Sequence, residues 1–405
     1  MPQPGHIQSA TRHEPGAPAM QFFPEAHAQF ESFPTRQPFT FRLNPQNTPH
    51  NTPQVTMKRR DWLLATGASL GAWTATAQPT PQPIPQPIVQ PRANGTPSTG
   101  ATPTNGGAGQ RPGTVPISWH AQARERLAAI ERASGARLGV ALLETGSGAL
   151  LGWREHERFA LCSTFKLLLA AWALARVDQG QTQLTQRLHY TPAEVLPYSP
   201  ISGPHAGASG MTVAELCAAT VSWSDNTAAN VLLRHLGGPA ALTDFLRAQG
   251  DAFTRLDRYE PELNQVAGDD VRDTTTPLAM LRSMQRLVLG PTLSPDTRPF
   301  LQHWLRDCRT GDQRIRAGAP GWTVGDKTGT GERMSHDVAV LWPPGPQTTQ
   351  PAQTAQKVQT SGSGPTAPLV MTCYLAQAPG SLAERDAVIA TVTRTLLEAR
   401  QAQQG

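Results

Sequence analysis

In the stretch ALCSTFKLLLAAWALARV, residues 160–177, a hydroxyl and an amine interrupt a run of leucine and alanine. Ser163 and Lys166 are three positions apart, so on a helix they project to one side. A helix start also offers unpaired N–H groups and the positive end of the peptide dipole. There a neutral lysine can take the serine proton, and the serine's own N–H can meet the oxyanion that develops when the serine attacks a carbonyl. Alone, Ser-x-x-Lys reads equally well as a helix cap and a lysine whose stem lies along the surface.

Three further stretches carry reactive or binding groups. In Ser224-Asp225-Asn226 the first and third residues, two apart on an extended loop, face one cavity; the same triplet also serves as a cap for the helix beginning NTAANVLL. Lys327-Thr328-Gly329 lies in a strand pattern, where an amine and a hydroxyl can hold a carboxylate and glycine permits close backbone approach. RYEPELNQVAGDDVRD, residues 258–273, is a long polar connector that contains Glu260 and Asn264. Arg258 and Asp273 can close its ends as an ion pair, as in a surface Ω-loop.

Lysine usage singles out two of these residues. Of 35 basic residues only Lys58, Lys166, Lys327 and Lys357 are lysine. Lys58 and Lys357 lie in segments without globular character, so Lys166 and Lys327 are the only lysines of the folded unit. Arginine cannot give up its proton in a protein, whereas lysine can be tuned into a base or act as a compact charge.

These groups need elements to hold them. WHAQARERLAAIERAS, 119–134, has helical periodicity and ends at Gly135. RLGVALLETGSGALLGWREHERFAL reads as two strands around a Gly-Ser-Gly turn. Helical patterns dominate from Ser163 to about residue 310. Strand patterns return in WTVGDKTG, SHDVAVLWP and PLVMTCYLAQ, and SLAERDAVIATVTRTLLEARQ closes the chain as a helix. Strands at both ends predict an α/β plus all-α fold: an antiparallel sheet with flanking helices built from both termini, and an inserted all-helical domain at about 163–310.

Outside 118–405 the composition is not that of a core. Residues 1–56 and 78–117 are rich in Pro, Gln, Thr and Gly and are read as disordered or linker, as is the loop 345–367. Met57-Lys58-Arg59-Arg60, a mildly apolar run and Ala75-Thr76-Ala77 have the grammar of a secretory signal, with the Arg pair of a twin-arginine leader. Translation is therefore expected to start at Met57, with 1–56 an upstream extension, and the product to be periplasmic or secreted. GASLG, 67–71, matches a serine-hydrolase elbow but lies within this signal and is given no role. No run approaches the roughly 20 apolar residues of a membrane span. The formal charge of +5 comes from scattered basic residues, so no nucleic-acid partner is expected. Cys162, Cys217, Cys308 and Cys373 lack metal-type spacing, and sequence alone cannot pair them.

Together and in this succession the motifs resemble those of the class A serine β-lactamases, over nearly all of 118–405 and including SDNTAANVLL, DRYEPELN and VGDKTGTG. The resemblance implies an active site at the junction of the two domains and a serine that opens a β-lactam ring to give an acyl-enzyme. Ser163 is then the nucleophile, and Ser224 hands a proton to the departing nitrogen. The N–H groups of Ser163 and Thr330 form the oxyanion hole. Either Lys166 or Glu260, acting through a water, takes the serine proton. Glu260 and Asn264 position the hydrolytic water. Asn226 binds the acylamido side chain, Tyr198 forms a wall, and Lys327, Thr328 and Arg314 hold the substrate carboxylate. No cofactor is implied, the partner is a small β-lactam, and a monomer is expected.

Two cysteines depart from the family's pattern. Cys162 precedes the nucleophile as in carbapenem-hydrolysing members, but Gly331 stands where its disulfide partner belongs. Ala170 likewise replaces the partner of Cys217. Three rivals share parts of the chemistry. A D-alanyl-D-alanine peptidase or penicillin-binding protein has no need of Glu260. An acylated sensor needs transmembrane helices. A metallo-β-lactamase needs clustered ligands, and the eleven histidines are dispersed.

Overall fold

A computed structural model describes residues 119–266, 268–344 and 367–404. The expected extension 1–56, signal 57–77 and linker 78–117 lie outside the described residues, as does the loop 345–367 but for its last residue.

Helix α1 (Trp119–Ser134) is followed by a hairpin, β1 (Arg137–Glu144) and β2 (Leu150–Trp153), around the glycine-rich turn. Strand β3 (Phe159–Ala160) leads through a 3-10 turn, Cys162–Thr164, into α2 (Phe165–Asp178). Strands β4 (Arg187–Leu188) and β5 (Met211–Thr212) pair with each other before α3 (Val213–Ser222), α4 (Asn226–Leu236) and α5 (Gly238–Ala248). Strand β6 (Thr274–Thr275) precedes α6 (Pro277–Met284), which continues as a π-helical turn; α7 (Arg298–Arg306) and the short α8 (Ile315–Gly318) follow. Strands β7 (Thr323–Gly331), β8 (Met334–Trp342) and β9 (Leu369–Ala376) and helix α9 (Leu382–Gln404) complete the described chain.

The sheet runs β2-β1-β9-β8-β7, antiparallel throughout, so strands from both ends of the folded unit lie side by side. Both of its faces are covered. Leu138, Val140, Leu142, Met371, Leu375, Ala339 and Leu341 share a core with residues of α1 and α9. The alternate residues Ala141, Leu143, Val338, Val340, Val370 and Tyr374 join the core of the helical layer. A strand buried on both faces has no polar side to show, which is why RLGVALLE reads as an almost unbroken apolar run. Helix α2 is buried along one continuous stretch, Phe165 to Ala175, and packs against α3, α4, α5 and α7. That explains its lack of an amphipathic stripe.

The stretch from 163 to 310 is less purely helical than its patterns predict. It contributes β4, β5 and β6, and α6 packs on β1 and β9 while Met280, Leu281 and Met284 join the core of the helical layer. The ladder of β3 with β6 and the bond from Leu161 N–H to Asp273 O (2.8 Å) tie the end of the 258–273 connector to the segment that enters the 3-10 turn. Two-residue strands carry no periodicity, so neither ladder was legible in the sequence.

Candidate active site

Ser163 lies in the 3-10 turn that feeds α2, directly after Cys162, whose φ of +41° is left-handed. Tyr198 (φ +58°) and Ser224 (φ +59°) share that conformation, so three non-glycine residues of one site hold a costly backbone geometry. Strand β7 lies against the turn, and Gly329 makes the approach possible. A Cβ there would sit 3.1 Å from Cys162 Cβ and from Thr164 Cγ2.

Lys166 is fully buried on the first turn of α2. Its ammonium donates to Ser224 O (2.8 Å) and Asn226 Oδ1 (2.6 Å) and lies 3.1 Å from Glu260 Oε1. Burial lowers its pKa, opposed by the Glu260 carboxylate. Ser163 Oγ lies 3.4 Å from the same Glu260 Oε1, so one carboxylate oxygen faces both the hydroxyl and the amine. Asn264 Nδ2 donates to the other oxygen, Oε2, at 2.7 Å. Among the described residues the buried Asn264 Oδ1 has no hydrogen-bond partner, an acceptor suited to a water beside the carboxylate.

The connector that carries Glu260 is fastened at both ends and in the middle. Arg258 Nε meets Asp273 Oδ2 at 2.5 Å, and Asp273 also accepts from the backbone N–H groups of Asp257 and Arg258. The expected ion pair is thus in place. In the middle Asn230, on α4, donates from Nδ2 to Glu260 O (2.8 Å) and accepts from Glu260 N–H at Oδ1 (3.0 Å). No sequence reading singled out Asn230. Its signal was a polar residue on the buried face of NTAANVLLRHL, four positions after Asn226. Replacing Asn230 with alanine leaves two buried backbone groups unpaired and is expected to cost about 1–3 kcal/mol of stability for each group left bare. Thermal denaturation checks this, with the midpoint expected to fall as the connector that carries Glu260 loses its hold on α4.

On the opposite wall Lys327, fully buried on β7, donates to Ser224 Oγ (3.0 Å) and Thr328 O (2.9 Å). Asn226 uses Oδ1 on Lys166 and one Nδ2 hydrogen on Pro197 O (2.9 Å), and its second amide hydrogen has no acceptor among the described hydrogen bonds. Its backbone N–H donates to Tyr198 O, and the Tyr198 ring is 54% exposed at the rim. Asp225, another residue passed over as a mere cap, does more than accept from Ala228 N–H. It also takes the Ile201 and Ser202 N–H groups and the Ser202 hydroxyl, joining α4 to the loop that presents Tyr198.

Arg314 is buried, with Nε on Asp386 (2.7 Å), one terminal nitrogen on the carbonyls of Gly329 and His336, and the other on Thr330 Oγ1 (2.8 Å). It therefore reaches the mouth of the site by way of Thr330. All four cysteines are free and buried. The space where a Gly331 Cβ would stand is 3.3 Å from Cys162 Sγ, so the thiol faces glycine. Among the described residues no helix is long and apolar enough to cross a membrane.

Burial drives the Lys327 pKa down to about 8. Above that pH the free enzyme loses the charge that faces an anionic ligand. A high-pH fall in kcat/KM with an apparent pKa near 8 is expected. In kcat the same limb should lie at higher pH, because a bound carboxylate favours the ammonium. Initial rates measured from about two pH units below to about two above that pKa separate the two profiles.

Known proteins resemble this chain over most of its described length. Residues 122–398 match the family model described as the β-lactamase enzyme family. The chain is 44% identical to β-lactamase L2 of Stenotrophomonas maltophilia over 289 residues, 71% of this chain and 89% of that protein. An ancestral class A β-lactamase is 51% identical with a TM-score of 0.63, covering 69% of this chain and all of that one. The putative class A β-lactamase PenP of Rhodopseudomonas palustris is 45% identical with a TM-score of 0.62, over 69% of this chain and 99% of that one.

Proposed function

Because the chain belongs to the class A β-lactamase family, and so hydrolyses the amide of β-lactam antibiotics and confers resistance to them, we propose a role for each residue of its site. Ser163 Oγ attacks the lactam carbonyl carbon. Glu260 takes the serine proton, directly or through a water. The observation that carries this choice is the shared oxygen Oε1, within 3.4 Å of Ser163 Oγ and 3.1 Å of Lys166 Nζ. While the Lys166 ammonium directs its three hydrogens at Ser224 O, Asn226 Oδ1 and Glu260, it has no lone pair to accept a proton. Its charge instead steadies the carboxylate and links it to Ser224.

The N–H groups of Ser163 and Thr330 receive the oxyanion, each such donor contributing about 3–4 kcal/mol. When the C–N bond breaks, Ser224 protonates the nitrogen, and Lys327, donating to Ser224 Oγ, offsets the charge left there. Lys327, Thr328 and Thr330 hold the substrate carboxylate, with Arg314 behind Thr330. Asn226 binds the acylamido group and Tyr198 walls the cleft. In the second half Glu260 and Asn264 activate a water that attacks the ester, and Ser163 leaves with the proton from Glu260. A nitrocefin assay with stopped-flow resolution tests the scheme. Steady turnover after acylation is the expected result, and one burst followed by silence would overturn the role of Glu260.

We propose further that the enzyme works as a monomer after export. One chain supplies every group named above, and the Lys58-Arg59-Arg60 leader supports translocation. Size exclusion and the N-terminal mass of the protein recovered from a periplasmic fraction check both statements.

A further inference from the structure

We propose that Thr310, in the segment between α7 and α8, is a positioning residue for recognition of the substrate carboxylate, acting through the hydroxyl of Thr328. This deepens the reading of Lys327, Thr328 and Thr330 as the carboxylate site and rests on it. Oγ1 of Thr310 lies 2.5 Å from Oγ1 of Thr328, which is buried. Each hydroxyl has a single proton, so one of the pair must donate and the other accept. A carboxylate only accepts. Thr328 can therefore serve it only when its proton points at the ligand, and that requires Thr310 to donate to Thr328.

The other threonine of the cradle shows the same arrangement with no ambiguity of direction. Arg314 donates to Thr330 Oγ1 at 2.8 Å, and a guanidinium has no acceptor. Thr330 is thereby held as an acceptor on its protein side, with its proton free for the cleft. Thr310 does for Thr328 what Arg314 does for Thr330. The segment that presents Thr310 is itself fixed. Arg309 N–H donates to Ser222 O at 2.8 Å, and Ser222 Oγ donates to Trp304 O at 2.9 Å, which joins the segment to the end of α3 just before Ser224. Cys308 Sγ lies 3.4 Å from Thr310 Oγ1 and gives that hydroxyl a second neighbour on the buried side.

The test is steady-state kinetics on benzylpenicillin with Thr310→Val, Thr310→Ser, Thr328→Val and the double variant Thr310→Val/Thr328→Val. Valine keeps the shape and removes the hydroxyl. Thr310→Val is expected to raise KM roughly tenfold, the scale of one hydrogen bond to a charged group, while kcat stays within about twofold. Thr310→Ser should restore KM. The double variant should have the KM of Thr328→Val alone, because a residue acting through Thr328 has nothing left to position. A purely structural role would move kcat with KM, or multiply with Thr328→Val, and either outcome overturns the proposal. If Thr328→Val raises KM and Thr310→Val does not, Thr310 alone falls. If Thr328→Val leaves KM unchanged, the carboxylate reading of Thr328 falls, and Thr310 with it.

Discussion

Substituting alanine for Glu260 is expected to turn a catalyst into a trap. The acyl-enzyme should accumulate, visible by mass spectrometry as the protein plus one intact β-lactam, and its release should slow by about 10²–10⁴-fold, the range of general-base catalysis. Both oxygens of this carboxylate are committed, Oε1 toward Ser163 and Lys166 and Oε2 to Asn264. No second carboxylate among the described contacts of Ser163 can replace it. Acylation should slow as well but persist, because Ser163, the N–H groups of the proposed oxyanion hole and the Ser224–Lys327 pair are untouched. The buried side chain is only 1% exposed, so its loss also frees the Lys166 ammonium from its nearest anion. Glu260→Gln keeps the volume and separates this electrostatic effect from the loss of the base. Continued turnover at the parental rate in either variant removes Glu260 from the mechanism.

Ser163→Ala is expected to abolish covalent chemistry outright. Loss of the nucleophile in a serine hydrolase costs on the order of 10⁶ in kcat. No adduct mass should appear after long incubation with a penicillin, while the fold stays intact, since among the described residues the Ser163 side chain bonds only to Glu260 and its backbone is unchanged. That approach, at 3.4 Å, is long for a hydrogen bond. Covalent labelling of this variant at wild-type rate would show that another residue is the nucleophile. Comparing the two substitutions separates the halves of the reaction: one should yield no adduct, the other an adduct that does not leave.

The candidate reactive groups were readable before any coordinates because their motifs, taken together and in order, resemble those of one family. Two lysines survive in a folded unit otherwise supplied with arginine, and both are buried in the site. The strands at the two ends were readable because burial on both faces writes long apolar runs. Arg258 and Asp273 were readable because opposite charges bracket a polar connector. Asn230 and Thr310 were not. Each acts on a backbone or a hydroxyl far away in the chain, Asn230 on Glu260 and Thr310 on Thr328, and nothing local marks such a partnership. Arg314 was placed at the carboxylate by resemblance, and only its contacts reveal that Thr330 stands in front of it.

Sequence by itself determined the family, through the order of its motifs, and the alternation of strand and helix around the candidate residues, since motif spacing and the periods of local structure are written in the chain. Tertiary structure alone decided which atoms face one another: that one oxygen of Glu260 serves both Ser163 and Lys166, and that left-handed backbone at Cys162, Tyr198 and Ser224 aims the walls of the site. The physical reason is range. Periodicity and propensity act over a few residues, whereas hydrogen-bond direction and strain across about 100 positions are set only when the packed core holds distant segments within a few ångströms.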